Sequence, residues 1–122
     1  MHVERVDFLS VPTRDLARAR RFYEDVLQLP IDRETPSGGV EYVCGQVTLG
    51  VWEPEKLGLT FAPNPNDVAL RVADVAAARD ELEAKGVEFK GETFDTGVCH
   101  MAFFHDPDGN ALMLHRRYAP VE

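Results

Sequence analysis

Two Asp-apolar helix openings, Asp15-Leu16 and Asp74-Val75, stand 59 residues apart in a chain of 122 residues, close to half its length. Each half reads as strand, helix and three further strands, and a period that long marks a repeated supersecondary unit. A βαβββ unit leaves one face of its sheet uncovered, so two of them are expected to pair their sheets and curve around a shared cavity. The length suits one domain and is short for two independent cores. The expected division is a single domain over 1–122, with a first module over about 4–53, a linker over about 54–66 and a second module over about 67–118.

Periodicity fills in the elements. Val6 to Val11 reads as a strand, and Leu16, Ala19, Tyr23, Val26 and Leu27 recur at helical spacing before Pro30, giving an amphipathic helix. Gly38-Gly39 punctuates the chain before Val40 to Cys44, and Gly45-Gln46 turns that strand into Val47 to Trp52 as a hairpin. Three prolines and two asparagines between Glu53 and Asn66 read as a linker. The pattern then restarts: Asp67 to Val72 is strand-like, Asp74 caps a helix with the stripe Val75, Ala78 and Leu82, and Gly86 ends it. Val87 to Gly91, Val98 to His105 and Ala111 to Arg116 read as strands, the last two joined by the turn residues Asp106-Pro107-Asp108-Gly109-Asn110.

Composition narrows the partners. Lys and Arg number 13 against 21 Asp and Glu, a formal charge of −8 that repels nucleic acid and anionic membranes. Apolar residues at 44% and charged residues at 28% are ordinary for a packed globular chain. No basic stretch followed by an apolar segment opens the chain, and no apolar run nears the roughly 20 residues of a membrane span, so a cytoplasmic protein is expected. Cys44 and Cys99 lack the spacing of a thiolate metal site and are expected as reduced thiols. Arg14, Arg18, Arg20 and Arg21 lie beside Asp15, Glu24 and Asp25, which favours a salt-bridged helix surface over a phosphate site.

The chain resembles the vicinal oxygen chelate superfamily of glyoxalase I, extradiol dioxygenases and fosfomycin- and bleomycin-resistance proteins. The resemblance rests on Asp15-Leu16, on Phe22-Tyr23 with Leu27 and Leu29, on the paired modules, and on Phe103 to Asn110 before the last strand. Where relatives have Leu-Gly-Leu after the first helix, this chain has Leu27-Gln28-Leu29. The resemblance implies an α+β fold of two tandem βαβββ modules, the glyoxalase/bleomycin resistance/dihydroxybiphenyl dioxygenase fold, and a homodimer. It also implies one divalent metal held by His or Glu from the module strands. By motif position those ligands would be Phe8, Asp67 and Met113, with Gly50 at a position used in some relatives. Only Asp67 offers a donor such metals accept, and one carboxylate does not hold a divalent ion.

With Phe8 and Met113 facing inward, strand alternation turns Ser10, Thr48, Gly50, Trp52, Asp67, Ala69, Arg71, Cys99, Met101, Phe103 and His115 toward the same cavity. The expected site residues are thus Phe8, Thr48, Gly50, Trp52, Asp67, Arg71, Cys99, Met101, Phe103, Met113 and His115, with no metal and no cofactor. Aromatic and thioether side chains suit a planar or apolar ligand, and Asp67 could pair with a cationic group; the bland alternative is that they merely fill space. The leading expectation is a metal-independent small-molecule binding protein. The alternatives are a lyase or dioxygenase with displaced metal ligands, and a metal-free acid-base enzyme using His115, Cys99 or Asp67.

Overall fold

Both helix openings fold as their aspartates dictate in the computed structural model, which describes residues 1–120. Asp15 Oδ1 accepts the Arg18 amide at 3.1 Å and Asp74 Oδ1 accepts the Ala77 amide at 3.1 Å, each satisfying a first-turn donor that the helix cannot. The chain divides into two units, Met1–Pro63 and a second beginning at Asn64, and each carries one four-stranded mixed sheet. The architecture is α+β.

The first unit holds β1 (Phe8–Pro12), α1 (Leu16–Arg20), β2 (Ile31–Glu34), β3 (Val40–Cys44) and β4 (Val47–Trp52), in the sheet order β1-β4-β3-β2. β1 and β4 run parallel, and β4, β3 and β2 are antiparallel neighbours. Val11, Val40, Tyr42, Leu49 and Val51 are buried on one side of the sheet, where the Tyr42 ring stacks on Tyr23 with centroids 5.8 Å apart. The alternate residues therefore face away from the helix.

Three expectations need correction here. The first strand starts at Phe8 rather than Val6. The helix is α-helical only to Arg20, and Arg21–Val26 is π-helical, closed by the Leu27 amide on the Phe22 carbonyl at 2.9 Å. The wider turn lets the adjacent rings of Phe22 and Tyr23, edge to face at 5.2 Å, both be buried. Within the expected linker, Pro54–Leu57 forms a 3₁₀ turn, started by proline in the first helical turn and ended by Gly58 at φ +77°.

The second unit holds β5 (Val68–Arg71), α2 (Val75–Ala84), β6 (Phe89–Asp95), β7 (Cys99–His105) and β8 (Ala111–Arg117), in the order β5-β8-β7-β6. Ala102, Phe104, Leu112 and Leu114 are buried on one side, where Phe104 packs on Phe89 at 5.1 Å beneath the Arg79 guanidinium of α2. Where the sequence reads a strand over Val87 to Gly91, β6 starts at Phe89 and runs on to Asp95. Gly91, at φ +67°, lies in a register shift between the Lys90 and Phe94 pairs, so it bends the strand rather than ending it. The Asp106 to Asn110 turn is bonded internally: Asp106 accepts the Asp108 and Asn110 amides at 2.9 Å each and the Asn110 side-chain amide at 2.8 Å. Asn110 Oδ1 in turn accepts the Asn64 amide at 2.8 Å.

Candidate functional site

In the first unit, strand register gathers four of the expected residues on the sheet face turned away from α1. Phe8 pairs with Thr48, Ser10 with Gly50 and Pro12 with Trp52 along the parallel ladder. Glu41 lies opposite Gly50 on β3 and is 2.9 Å from Arg33 Nε of β2. Over this face opens a cavity of about 390 Å³, lined by Phe8, Gly39, Gly50 and Trp52 together with Ser10, Thr35, Ser37 and Glu41.

Two glycines shape the cavity for different reasons. A Cβ at Gly39 would lie 2.7 Å from the Val51 carbonyl oxygen, so only glycine lets β3 approach β4 there. A Cβ at Gly50 would meet its nearest atoms no closer than 3.7 Å, so the absence of a side chain there leaves room rather than relieving a clash. Trp52 Nε1 is enclosed without an acceptor among the described residues, a state that costs about 1–3 kcal/mol for a buried donor.

In the second unit the register follows the alternation: Phe103 pairs with Met113, Met101 with His115 and His105 with Ala111. On the parallel side Ala69 pairs with Met113 and Arg71 with His115. Arg71, Cys99, Met101, Phe103, Met113 and His115 thus share the sheet face opposite α2. Asp67 precedes β5 and lies outside it. Cys99 is buried and diagonal to His115, and no hydrogen bond joins the two among the described residues. Cys44 is a poorer nucleophile than an ordinary thiol, because burial pushes its pKa up. His100 occupies the other face, stacked on Tyr118 at 4.6 Å and 3.4 Å from Asp95.

The metal that the resemblance implies finds no suitable donors at the motif positions. Phe8 presents a half-exposed ring, Gly50 has no side chain and Met113 offers a thioether. Among the described residues, no three His, Cys, Asp or Glu side chains converge to hold an ion.

Sequence reasoning missed Glu41, Thr35, Ser37 and Gly39. Glu41 was within reach: a two-residue turn at Gly45-Gln46 sets Cys44 against Val47 and therefore Glu41 against Gly50. Thr35 and Ser37 lie in the loop before β3, where alternation gives no signal.

A sequence profile described as the Glyoxalase/Bleomycin resistance protein/Dioxygenase superfamily matches residues 5–114. Among solved structures, TnmS3, an antibiotic binding protein from Streptomyces sp. CB03234, is 25% identical at a TM-score of 0.80, over 96% of this chain and 98% of that one. A superfamily member from Sphaerobacter thermophilus is 21% identical at a TM-score of 0.81, over 93% and 97% of the two chains. Lactoylglutathione lyase from Agrobacterium tumefaciens is 18% identical at a TM-score of 0.78, over 93% and 94%. The last two likenesses show the fold alone. No protein of curated function matches the chain.

Proposed function

The chain belongs to the Glyoxalase/Bleomycin resistance protein/Dioxygenase superfamily, and from that premise we propose that it is a metal-independent protein that binds an apolar or aromatic small molecule. The observation that carries this reading is the cavity of about 390 Å³ on the first unit's sheet, walled by Phe8 and Trp52 and kept open at Gly50. Its size falls within the range of small-molecule sites, and aromatic walls favour planar ligands by stacking. A ligand acceptor reaching the unpartnered Trp52 indole N–H would relieve that donor's penalty. The likeness to an antibiotic binding protein points the same way.

Phe103, Met101 and Met113 give the second unit's sheet a soft apolar surface suited to the same class of ligand. The donor chemistry at Phe8, Gly50 and Met113 supports metal independence. The reading extends to a homodimer, for which the exposed apolar side chains of Val6, Leu9 and Ile31 would supply contact surface, and to a location in the cytoplasm. No helix among the described residues is long and apolar enough to cross a membrane.

Protein purified without chelator tests the proposal by elemental analysis and by mass spectrometry of organic molecules released on denaturation. Substoichiometric metal together with an aromatic co-purifying molecule is expected. One equivalent of iron, nickel, manganese or zinc per chain would overturn metal independence.

A further inference from the structure

The cavity between Phe8 and Trp52 does not end at Phe8. A second hollow of about 390 Å³ adjoins it on the same unit, lined by Arg5, Asp7, Phe8, Asp32, Arg33, Glu41 and Thr48. Phe8 and Glu41 line both, so an apolar chamber passes into a charged vestibule along one sheet face. Three carboxylates meet two guanidiniums there, leaving one negative charge in excess.

The pairing in the vestibule is uneven. Arg5 and Asp7 bind each other at 3.0 Å with both side chains more than two-thirds exposed. In the Arg33–Glu41 pair, Arg33 is 66% exposed and Glu41 only 14%, so the carboxylate belongs to the cavity wall while its partner reaches in from solvent. An ion pair exposed on one side is weak and readily exchanged for another cation. Asp32 is the extra residue of a β-bulge, between the Ile31–Tyr42 and Arg33–Glu41 pairs, and has no hydrogen-bond or ion-pair partner among the described residues. A bulge re-aims the side chain it carries. The half-exposed Phe8 ring at the boundary adds a face that attracts cations.

Resting on the binding reading above, we infer that the ligand is a compact organic cation, an aromatic or alicyclic body bearing a protonated amine or amidine, whose charge is read by Glu41 and Asp32 at the mouth of the chamber. The body enters between Phe8 and Trp52, and the cation replaces Arg33 on Glu41. Glu41 and Asp32 are specificity-determining residues in this account, a role that the sequence expectation gave to Asp67.

The chain has a single tryptophan, Trp52, so its emission reports directly on the chamber. Emission is titrated with three probes of one shape: biphenylmethylamine, biphenylmethanol and biphenylcarboxylate. The amine is expected to bind at least about tenfold more tightly than the alcohol, and the carboxylate more weakly than both. Glu41→Gln should cut the amine-to-alcohol ratio to about threefold or less, and Asp32→Asn should lower the ratio by a smaller factor. The ratio in the unsubstituted protein tests the charge preference even where a variant fails to fold. Equal binding of amine and alcohol, or tightest binding of the carboxylate, would overturn the cation inference and leave the binding site standing. No saturable change with any probe would overturn both.

Discussion

Gln28 is the one described residue other than glycine whose backbone enters the left-handed region. It adopts φ +57°, a region that costs side-chain-bearing residues about 1 kcal/mol or more. Gln28→Gly should therefore raise stability by about 1 kcal/mol, read as a higher urea midpoint with an unchanged slope. The two cavity glycines should behave oppositely to each other. Gly39→Ala forces a Cβ against the Val51 carbonyl and should destabilise by about 1–3 kcal/mol, whereas Gly50→Ala should fold with a Tm close to the parent's. Gly50→Leu should keep the far-UV circular dichroism spectrum but fill the chamber and weaken binding of biphenylmethanol at least about tenfold.

At the scale of elements, the helical layer is tied to the first sheet by one polar network. Arg20 bonds Glu24 at 2.7 Å and Glu34 of β2 at 2.8 Å, and the Tyr42 hydroxyl of β3 donates to Glu24 at 2.7 Å. The Arg20 guanidinium holds the Glu24 carboxyl below its ordinary pKa. A carboxyl whose pKa falls on folding adds stability above the carboxylate range and loses it as the pH drops through the folded value. Glu24→Gln should cost roughly 1–2 kcal/mol at neutral pH, and the gap in Tm from the parent should persist down to the ordinary glutamate range near about pH 4 and close only below it, as the pH drops through the lowered folded value. The same elements show what sequence periodicity can reach. Asp15, Asp74, the Cys44–Val47 hairpin and the β7–β8 register were legible because caps, tight turns and strand alternation act locally. The π-helical turn, the bulge at Asp32 and the glycine bend at Gly91 were not, because each is a tertiary solution: two adjacent rings buried together, or one strand accommodating its neighbour.

For the whole molecule, the two-module order was readable from the helix-capping aspartates Asp15 and Asp74, and the family from those openings together with the single turn-rich approach, Asp106 to Asn110, to the last strand. The site was only partly readable. Phe8, Thr48, Gly50 and Trp52 could be placed from one alignment position plus alternation, but Thr35 and Ser37 come from a loop whose path no periodicity encodes. The acidic balance, a formal charge of −8, is of the sign that the cation inference requires and repels phosphate-bearing polymers. Metal-independent binding is tested by titrating Trp52 emission with biphenylmethylamine, using protein stripped of metal by chelator and dialysed. Saturable binding of one probe per chain is expected, with the same affinity whether or not iron, nickel, manganese or zinc is added back. Binding that appears only after a divalent metal is restored, or no saturable response at all, would contradict it.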